Sequence, residues 1–348
     1  MKEFESYSQV YQSKFVAIIT RGQKNNTYKF ALARSILGYI GKNETIIQKN
    51  IENNKNTEIK YSIFADDFLR YYWYQYKFKI RQSHNVNDAP NIIQILKDEI
   101  FEKESQPENF EKVSEKLKEN ARELALKKVF GKEKQKSSQV VPRFQTIPRE
   151  SEKGKKIRFY ENDEQNKRIL LYPEAMKFLI KYRVLLDKFV VLEWAKFCDG
   201  IRPSPGTASK IEEPKFDRKS LKPNEKILRD HFDTCFYCET KLDEELKNAI
   251  HVDHFIPHSY IFNNEIWNLV LSCSQCNLNK SDSLAVDFKD ELIERNNNQR
   301  FQIKGLDYSL TKLDNGLGWE KEMERMYEDC YKYWGFTEIT KEDIIRKK

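Results

Sequence analysis

Along the first 130 residues the apolar positions recur at helical spacing. Ala33, Ile36, Leu37 and Ile40 fall at i, i+3, i+4 and i+7, and Leu69, Tyr72, Trp73, Tyr76 and Ile80 carry the same spacing over one more turn. A third set, Phe110, Val113, Leu117, Ala121 and Leu124, lies in a Glu/Lys-rich background, as expected of a solvated helix with one core face. The pattern predicts an almost entirely helical domain over 1–130, with no internal repeat.

From Gly131 to Arg158 the periodicity dissolves into a basic, Ser- and Pro-punctuated stretch carrying Lys132, Lys134, Lys136, Arg143, Arg149, Lys153, Lys155 and Lys156. It reads as a linker or exposed loop, with backbone contacts to a polyanion as its functional use. Helical spacing resumes after Pro173, a residue suited to a first turn, and runs through Leu179, Leu186, Phe189 and Trp194 to about Gly200. Pro203, Pro205, Gly206, Pro214 and Pro223 make Arg202–Pro223 an irregular connection. Residues 131–223 are thus read as linker, helix and connection, and 224–348 as a second module. In that module Asn224 is placed to cap a short helix, and Trp319, Met323, Met326, Tyr327, Cys330 and Trp334 mark an amphipathic helix stopped at Gly335. The expected fold class is α-rich, multidomain α+β.

Composition narrows the function classes. Of 348 residues, 39% are hydrophobic and 33% charged, with 22 Phe, 18 Tyr and 5 Trp, so a packed core forms and wholesale disorder is excluded. No stretch approaches 18 consecutive apolar residues, and Met1–Ser6 lacks the apolar core of a signal peptide, so a cytoplasmic location without a membrane partner is expected. Sixty-one basic against 54 acidic residues give a net charge of +7, which permits a polyanion to approach without demanding one.

Cysteine spacing says more. Four of the six cysteines form two C-x-x-C pairs, Cys235/Cys238 and Cys273/Cys276, while Cys198 and Cys330 lie alone on helix-like stretches. In a reducing compartment such pairs favour tetrahedral zinc over disulfide, and a site filled by four sulfurs is closed and structural. Between and after the pairs come His251-Val-Asp253-His254-Phe-Ile-Pro257-His258, then Trp267-Asn268, then Asn277 and Lys280. The oxygens of Asp253 and Asn277 are hard ligands suited to Mg²⁺ or a similar cation. Neutral His254 can accept a proton from water near neutral pH, and Lys280 can hold a neighbouring phosphate.

This segment resembles the HNH endonucleases of the ββα-metal type, in the subclass stapled by a four-cysteine zinc site. The resemblance implies that His254 is the general base and that Asn268 fixes the loop between two strands and so orients the base. It further implies that Asp253 and Asn277 ligate a catalytic Mg²⁺ or Mn²⁺ and that Lys280 is the family's basic residue three positions later. Asn277 makes the motif H-N-N, with Asn in place of the final His. The implied substrate is nucleic acid, DNA rather than RNA. Tyr28–Arg34 and Phe68–Tyr76 show a fainter likeness to the N-termini of bacterial HNH proteins, some of them found beside anti-phage systems, and the large helical portion, far more than a nuclease needs, suggests a subunit of a defence complex released by a protein partner. On a regular strand, neighbouring side chains face opposite ways, so Asp253 and His254 can serve one phosphate only if the strand ends there; Pro257 predicts that end.

The cysteines alone fit a rival class equally well: a zinc ribbon that binds nucleic acid or protein without cutting. The filled set Asp253, His254, Asn268 and Asn277 separates the two, since a binder has no use for a general base beside a hard-metal site. His251 and His258 are read as supporting or surface groups. Tyr71, Tyr72, Trp73 and Tyr74, interleaved with Arg70 and Lys77, fit base stacking, but their helical spacing favours core packing.

Overall fold

A computed structural model of the chain describes residues 2–22, 25–84, 90–103, 110–131, 140–145, 157–212, 220–242 and 250–346. Most of the basic stretch 131–158 therefore lies outside the described residues. The chain divides into two compact units, Met1–Pro214 and Lys215–Lys348. No helix among the described residues is long and apolar enough to cross a membrane.

The first unit is built from α1 (Lys2–Arg21), α2 (Tyr28–Lys42), α3 (Glu44–Glu52), β1 (Thr57–Lys60), α4 (Tyr61–Lys77), α5 (Asn91–Leu96), α6 (Glu115–Lys128), α7 (Val140–Phe144), β2 (Tyr160–Asp163), β3 (Arg168–Leu171), α8 (Pro173–Ile201) and α9 (Thr207–Glu212). The stripe Ala33, Ile36, Leu37 and Ile40 is buried, but so is nearly every other residue from Tyr28 to Leu37, because α2 is packed by α4 and α8 on different sides. Such a helix is hydrophobic nearly all round rather than amphipathic. Leu69, Tyr72 and Trp73 are core residues of α4, whose aromatic run packs inside the unit: Tyr72 lies 5.8 Å from Trp194, and Trp73 stacks at 6.0 Å on Phe101. The helix stops at Lys77, and Lys79 takes a φ of +52°, so Ile80 lies past the end of the stripe.

Two expectations for this unit need adjustment. The third periodic set is not one helix: Phe110 sits in a separate 3₁₀ turn, and α6 begins after Ser114. The almost wholly helical reading also missed a small antiparallel sheet of order β1-β3-β2. Its strands are four residues each, too short for period-two alternation to stand out, and β1 pairs with a strand more than a hundred residues away.

The second unit holds α10 (Lys222–Arg229), β4 (Ile250–His254), α11 (His258–Ile261), β5 (Leu269–Cys273), α12 (Ser274–Lys280), β6 (Leu284–Ala285), α13 (Lys289–Asn298), α14 (Leu306–Leu313), α15 (Trp319–Trp334), β7 (Glu338–Ile339) and α16 (Lys341–Ile345). Asn224 is not the cap of α10. Pro223 starts the helix one turn earlier, with Leu221 before it, and the Asn224 amide reaches the Asn264 carbonyl at 3.3 Å. The predicted amphipathic helix is α15, and Gly335 ends it in the left-handed conformation at φ +66°, which costs glycine nothing. Its apolar face, Trp319, Met323, Tyr327, Cys330 and Trp334, joins Phe255, Tyr260, Trp267 and Leu271 in one core beneath the β4–β5 hairpin. A ββα arrangement of β4, β5 and α12 is thereby held against a helical backing.

Candidate active site and metal centre

The two C-x-x-C turns stand at the open end of the hairpin. Thr234 and Lys241 form an antiparallel bridge, Cys235 N–H donates to the Thr240 carbonyl and Glu239 N–H to the Cys235 carbonyl, each at 2.9 Å. Phe236 N–H donates to the Leu271 carbonyl at 2.8 Å, which fastens this first knuckle to β5. The second knuckle is where β5 gives way to α12: Cys273 pairs with Ile250 in the sheet, and its sulfur caps the helix by accepting from Cys276 N–H at 3.5 Å.

The four Sγ atoms all lie within 4.8 Å of one another, with Cys238 and Cys273 at 3.9 Å. Zinc bonded to four sulfurs at about 2.3 Å has S···S edges of about 3.8 Å, so the donor set fits a structural zinc. None of the four cysteines is joined in a disulfide. Burial pushes the Cys235 thiol up to about 11 and the Cys276 thiol higher still. At Cys238 burial also acts upward, but hydrogen bonds with the Thr240 side chain and backbone outweigh it and bring the thiol down to about 7. A cation that binds here must therefore displace protons held by the buried sulfurs.

At the other end of the hairpin β4 pairs antiparallel with β5 up to His254↔Leu269, and Phe255 and Ile256 bend away ahead of Pro257. Asn268, fully buried, holds that bend. Its Nδ2 donates to the Ile256 carbonyl and its Oδ1 accepts from Ile256 N–H, both at 2.8 Å, while its own carbonyl accepts from Phe255 N–H at 2.8 Å.

His254 is the last strand residue and is half-buried. Its Nε2 lies 3.0 Å from Oδ1 of Asn264, and its ring meets His258 edge to face at 4.9 Å. A carboxamide oxygen only accepts, so in this pair Nε2 is the donor and the ring is anchored on Asn264. Asp253, its neighbour, takes different partners: Oδ2 accepts from the Tyr237 hydroxyl at 2.6 Å and from the Lys280 ammonium at 3.0 Å. Burial, then the charge of Asp253, push the Tyr237 phenol well above its ordinary range, so it stays protonated and donates.

Lys280 departs from the expectation of a phosphate contact. Its side chain is fully buried, and its ammonium donates to the His254 carbonyl at 2.9 Å besides pairing with Asp253. Because α12 packs against β4, the last turn of that helix lies under the strand end, and an ammonium buried there needs a carboxylate. Asn277 precedes Lys280 by three residues and shares its helix face. Its carboxamide takes no hydrogen bond from the described residues, nor does Oδ1 of Asp253. Two oxygen donors on packed neighbouring elements, β4 and α12, are thus uncommitted.

The remaining polar residues are engaged elsewhere. His251 Nε2 lies 3.0 Å from Ser274 Oγ, and the Asn279 amide bonds the carbonyls of Ile344 and Arg346 at 2.9 Å, tying α16 to α12. Sequence reasoning missed Asn264 and Tyr237. Asn264 approaches His254 only because the chain between the strands doubles back, which no periodicity records. Tyr237 was visible as the residue between two ligands, Cys235-Phe-Tyr-Cys238, but its partner is a fold-level contact.

Comparison with known proteins bears on both units. Residues 11–140 match a family described as a domain of unknown function (DUF8808). Comparison with curated proteins and with solved structures gives no match. Residues 235–286 match a family described as HNH endonuclease, and this span opens on the first knuckle cysteine and takes in the hairpin, the Asn268 clasp, α12 and β6. The helix-rich chain therefore carries, in its C-terminal unit, an HNH endonuclease domain with a four-cysteine cluster suited to a metal ion.

Proposed function

We propose that the protein is a metal-dependent endonuclease that hydrolyses phosphodiester bonds of DNA. The observation that carries this reading is the end of β4, where His254, anchored through Nε2 on Asn264, directly follows a carboxylate that keeps one oxygen uncommitted. His254 removes a proton from the attacking water as general base. Asn268 holds the bend that follows the base, and Lys280 acts through Asp253 and the His254 carbonyl rather than on the phosphate.

Asp253 and Asn277 would hold Mg²⁺ or Mn²⁺, which supplies charge neutralisation at the phosphate and the leaving oxygen. Cys235, Cys238, Cys273 and Cys276 would hold a zinc that fastens the hairpin to the knuckle. Hydrolysis in this mode leaves a 5′ phosphate and a 3′ hydroxyl. The HNH match and the net charge of +7 support a nucleic-acid substrate, and the family likeness favours DNA. Residues 1–130 serve substrate or partner recognition, as in a defence complex, and 224–348 the chemistry.

Incubation of the purified protein with supercoiled plasmid, linear duplex, single-stranded DNA and RNA, each with Mg²⁺, Mn²⁺ or chelator, tests the reading. Cation-dependent cleavage of DNA is expected. Binding without cleavage under every metal would reject it.

A further inference from the structure

We infer that Tyr237 is a positioning residue that ties the zinc knuckle to the carboxylate of Asp253, so that the structural metal helps to aim the catalytic one. The inference rests on the nuclease reading above. Tyr237 lies between two zinc ligands, Cys235 and Cys238, and is 1% exposed. Its ring packs edge to face on Phe288 at 5.1 Å, while neighbouring Phe236 packs on Phe255, the residue after the proposed base, at 6.2 Å. Two consecutive knuckle residues, Phe236 and Tyr237, therefore grip the chain where β4 ends, at Phe255 and Asp253. The grip includes one polar bond, the 2.6 Å contact from the Tyr237 hydroxyl to Oδ2 of Asp253.

That bond has a directional consequence. Oδ2 receives two donors, Tyr237 and Lys280, both buried, at 2.6 and 3.0 Å. Rotating the carboxylate away would leave the buried Tyr237 hydroxyl unpaired and the buried Lys280 ammonium with only the His254 carbonyl, which costs more than either bond contributes on its own. Oδ1 is thereby fixed as the oxygen available to a cation. Zinc enters because residues 235 and 238 are closed around it: if the turn opens, the backbone that carries Tyr237 moves and the hydroxyl loses its partner. The coupling needs no shared ligand, only a hydrogen bond between a ligand of one metal and a residue held by the other.

The test uses the zinc-loaded full chain and reads Mn²⁺ binding by calorimetry, zinc content, and the Mn²⁺ dependence of plasmid cleavage. Tyr237→Phe keeps the ring and removes the hydroxyl. It should retain one zinc per chain and bind Mn²⁺ roughly 10- to 100-fold more weakly, the usual effect of removing a group that orients a ligand. Cleavage should need correspondingly more Mn²⁺ and recover at saturation. Tyr327→Phe is the control: that tyrosine is also buried, but its hydroxyl takes no hydrogen bond from the described residues, so its loss should leave Mn²⁺ affinity unchanged.

Equal Mn²⁺ affinity in Tyr237→Phe and wild type overturns the inference alone. Equal affinity in Asp253→Asn and wild type overturns the metal site itself, and the inference with it. Should Tyr237→Phe lose its zinc, the wild type decides, because coupling between two sites is reciprocal. Saturating Mg²⁺ must then tighten zinc binding, read at equilibrium against a competing chelator, in the wild type and not in Asp253→Asn; unchanged zinc affinity refutes the link.

Discussion

Asn268 closes both hydrogen bonds of its carboxamide on one residue, donating to the carbonyl of Ile256 and accepting from its N–H, each at 2.8 Å. Asn268→Ala leaves a buried N–H and a buried C=O unpaired, so unfolding of the C-terminal unit should become easier by roughly 2–4 kcal/mol. Asn268→Asp separates shape from chemistry. A carboxylate keeps the acceptor for Ile256 N–H but sets a second negative oxygen against the Ile256 carbonyl, which raises the folded pKa of the new acid above its unfolded value. The destabilisation is then full above the folded pKa and fades as pH falls towards the unfolded value, where the protonated acid can donate. Thermal melts of zinc-loaded Asn268→Asp at pH 8 and pH 6, set against wild type, should show the gap narrowing at the lower pH.

The zinc prediction follows from four sulfurs within 4.8 Å of one another. Elemental analysis should find one zinc per chain at the cluster, and Cys235→Ser or Cys273→Ser should lose it and unfold the C-terminal unit, because metal binding and folding are coupled there. Thiols held up by burial, such as Cys235 at about 11, must ionise to bind, so affinity falls as pH falls. Zinc should leave on acidification together with the folded signal of this unit. A C-terminal unit that melts identically with and without zinc would refute the assignment.

How much of this was legible in the sequence depends on the range of the signal. The ends of α8 and α15 were written locally, in Pro173 and Gly335. The cysteines and the Asp253-His254 pair were legible because their chemistry is tied to spacing and residue type. The sheet pairing β1 with β3 was not, since Thr57 meets Leu171 only in the folded chain. Lys280 shows the same limit inside the site: its identity was readable, but its burial under β4, which turns a phosphate donor into a partner for Asp253, depends on how α12 packs.

That burial decides which variant tests the catalytic cation. Asp253→Ala leaves the buried ammonium of Lys280 with only the His254 carbonyl, a loss of roughly 3–5 kcal/mol that would be mistaken for a catalytic effect. Asp253→Asn is milder, because it keeps an acceptor for Lys280 or Tyr237, and it removes the charge a cation needs; since it also removes the counter-charge of Lys280, its cleavage is read beside its melting temperature. It should retain zinc, since the two sites share no ligand, and lose Mg²⁺-dependent cleavage. Full wild-type activity after dialysis against a mild chelator, with no cation added back, would show the oxygen-ligand assignment to be wrong.

The last prediction turns on His254, whose Nε2 is anchored on Asn264 at 3.0 Å. A general base typically contributes about 10²- to 10⁴-fold to rate and need not contribute to ground-state affinity. His254→Ala should therefore keep its zinc and its nucleic-acid affinity, and its stability to within about 1 kcal/mol, since the ring is only half-buried, while cleavage falls at least about 100-fold. His251→Ala is the clean control, because His251 engages Ser274 and touches neither Asp253 nor Asn264. His258 is a poorer control, since its ring packs on His254 at 4.9 Å and its loss frees the base to reorient. Asn264→Ala should fall between the two: the imidazole remains but loses its 3.0 Å anchor on Nε2, so the rate should drop less than with His254→Ala and the pH–rate profile should shift. Cleavage by His254→Ala at the wild-type rate would remove the base from the mechanism, whatever the cation dependence shows.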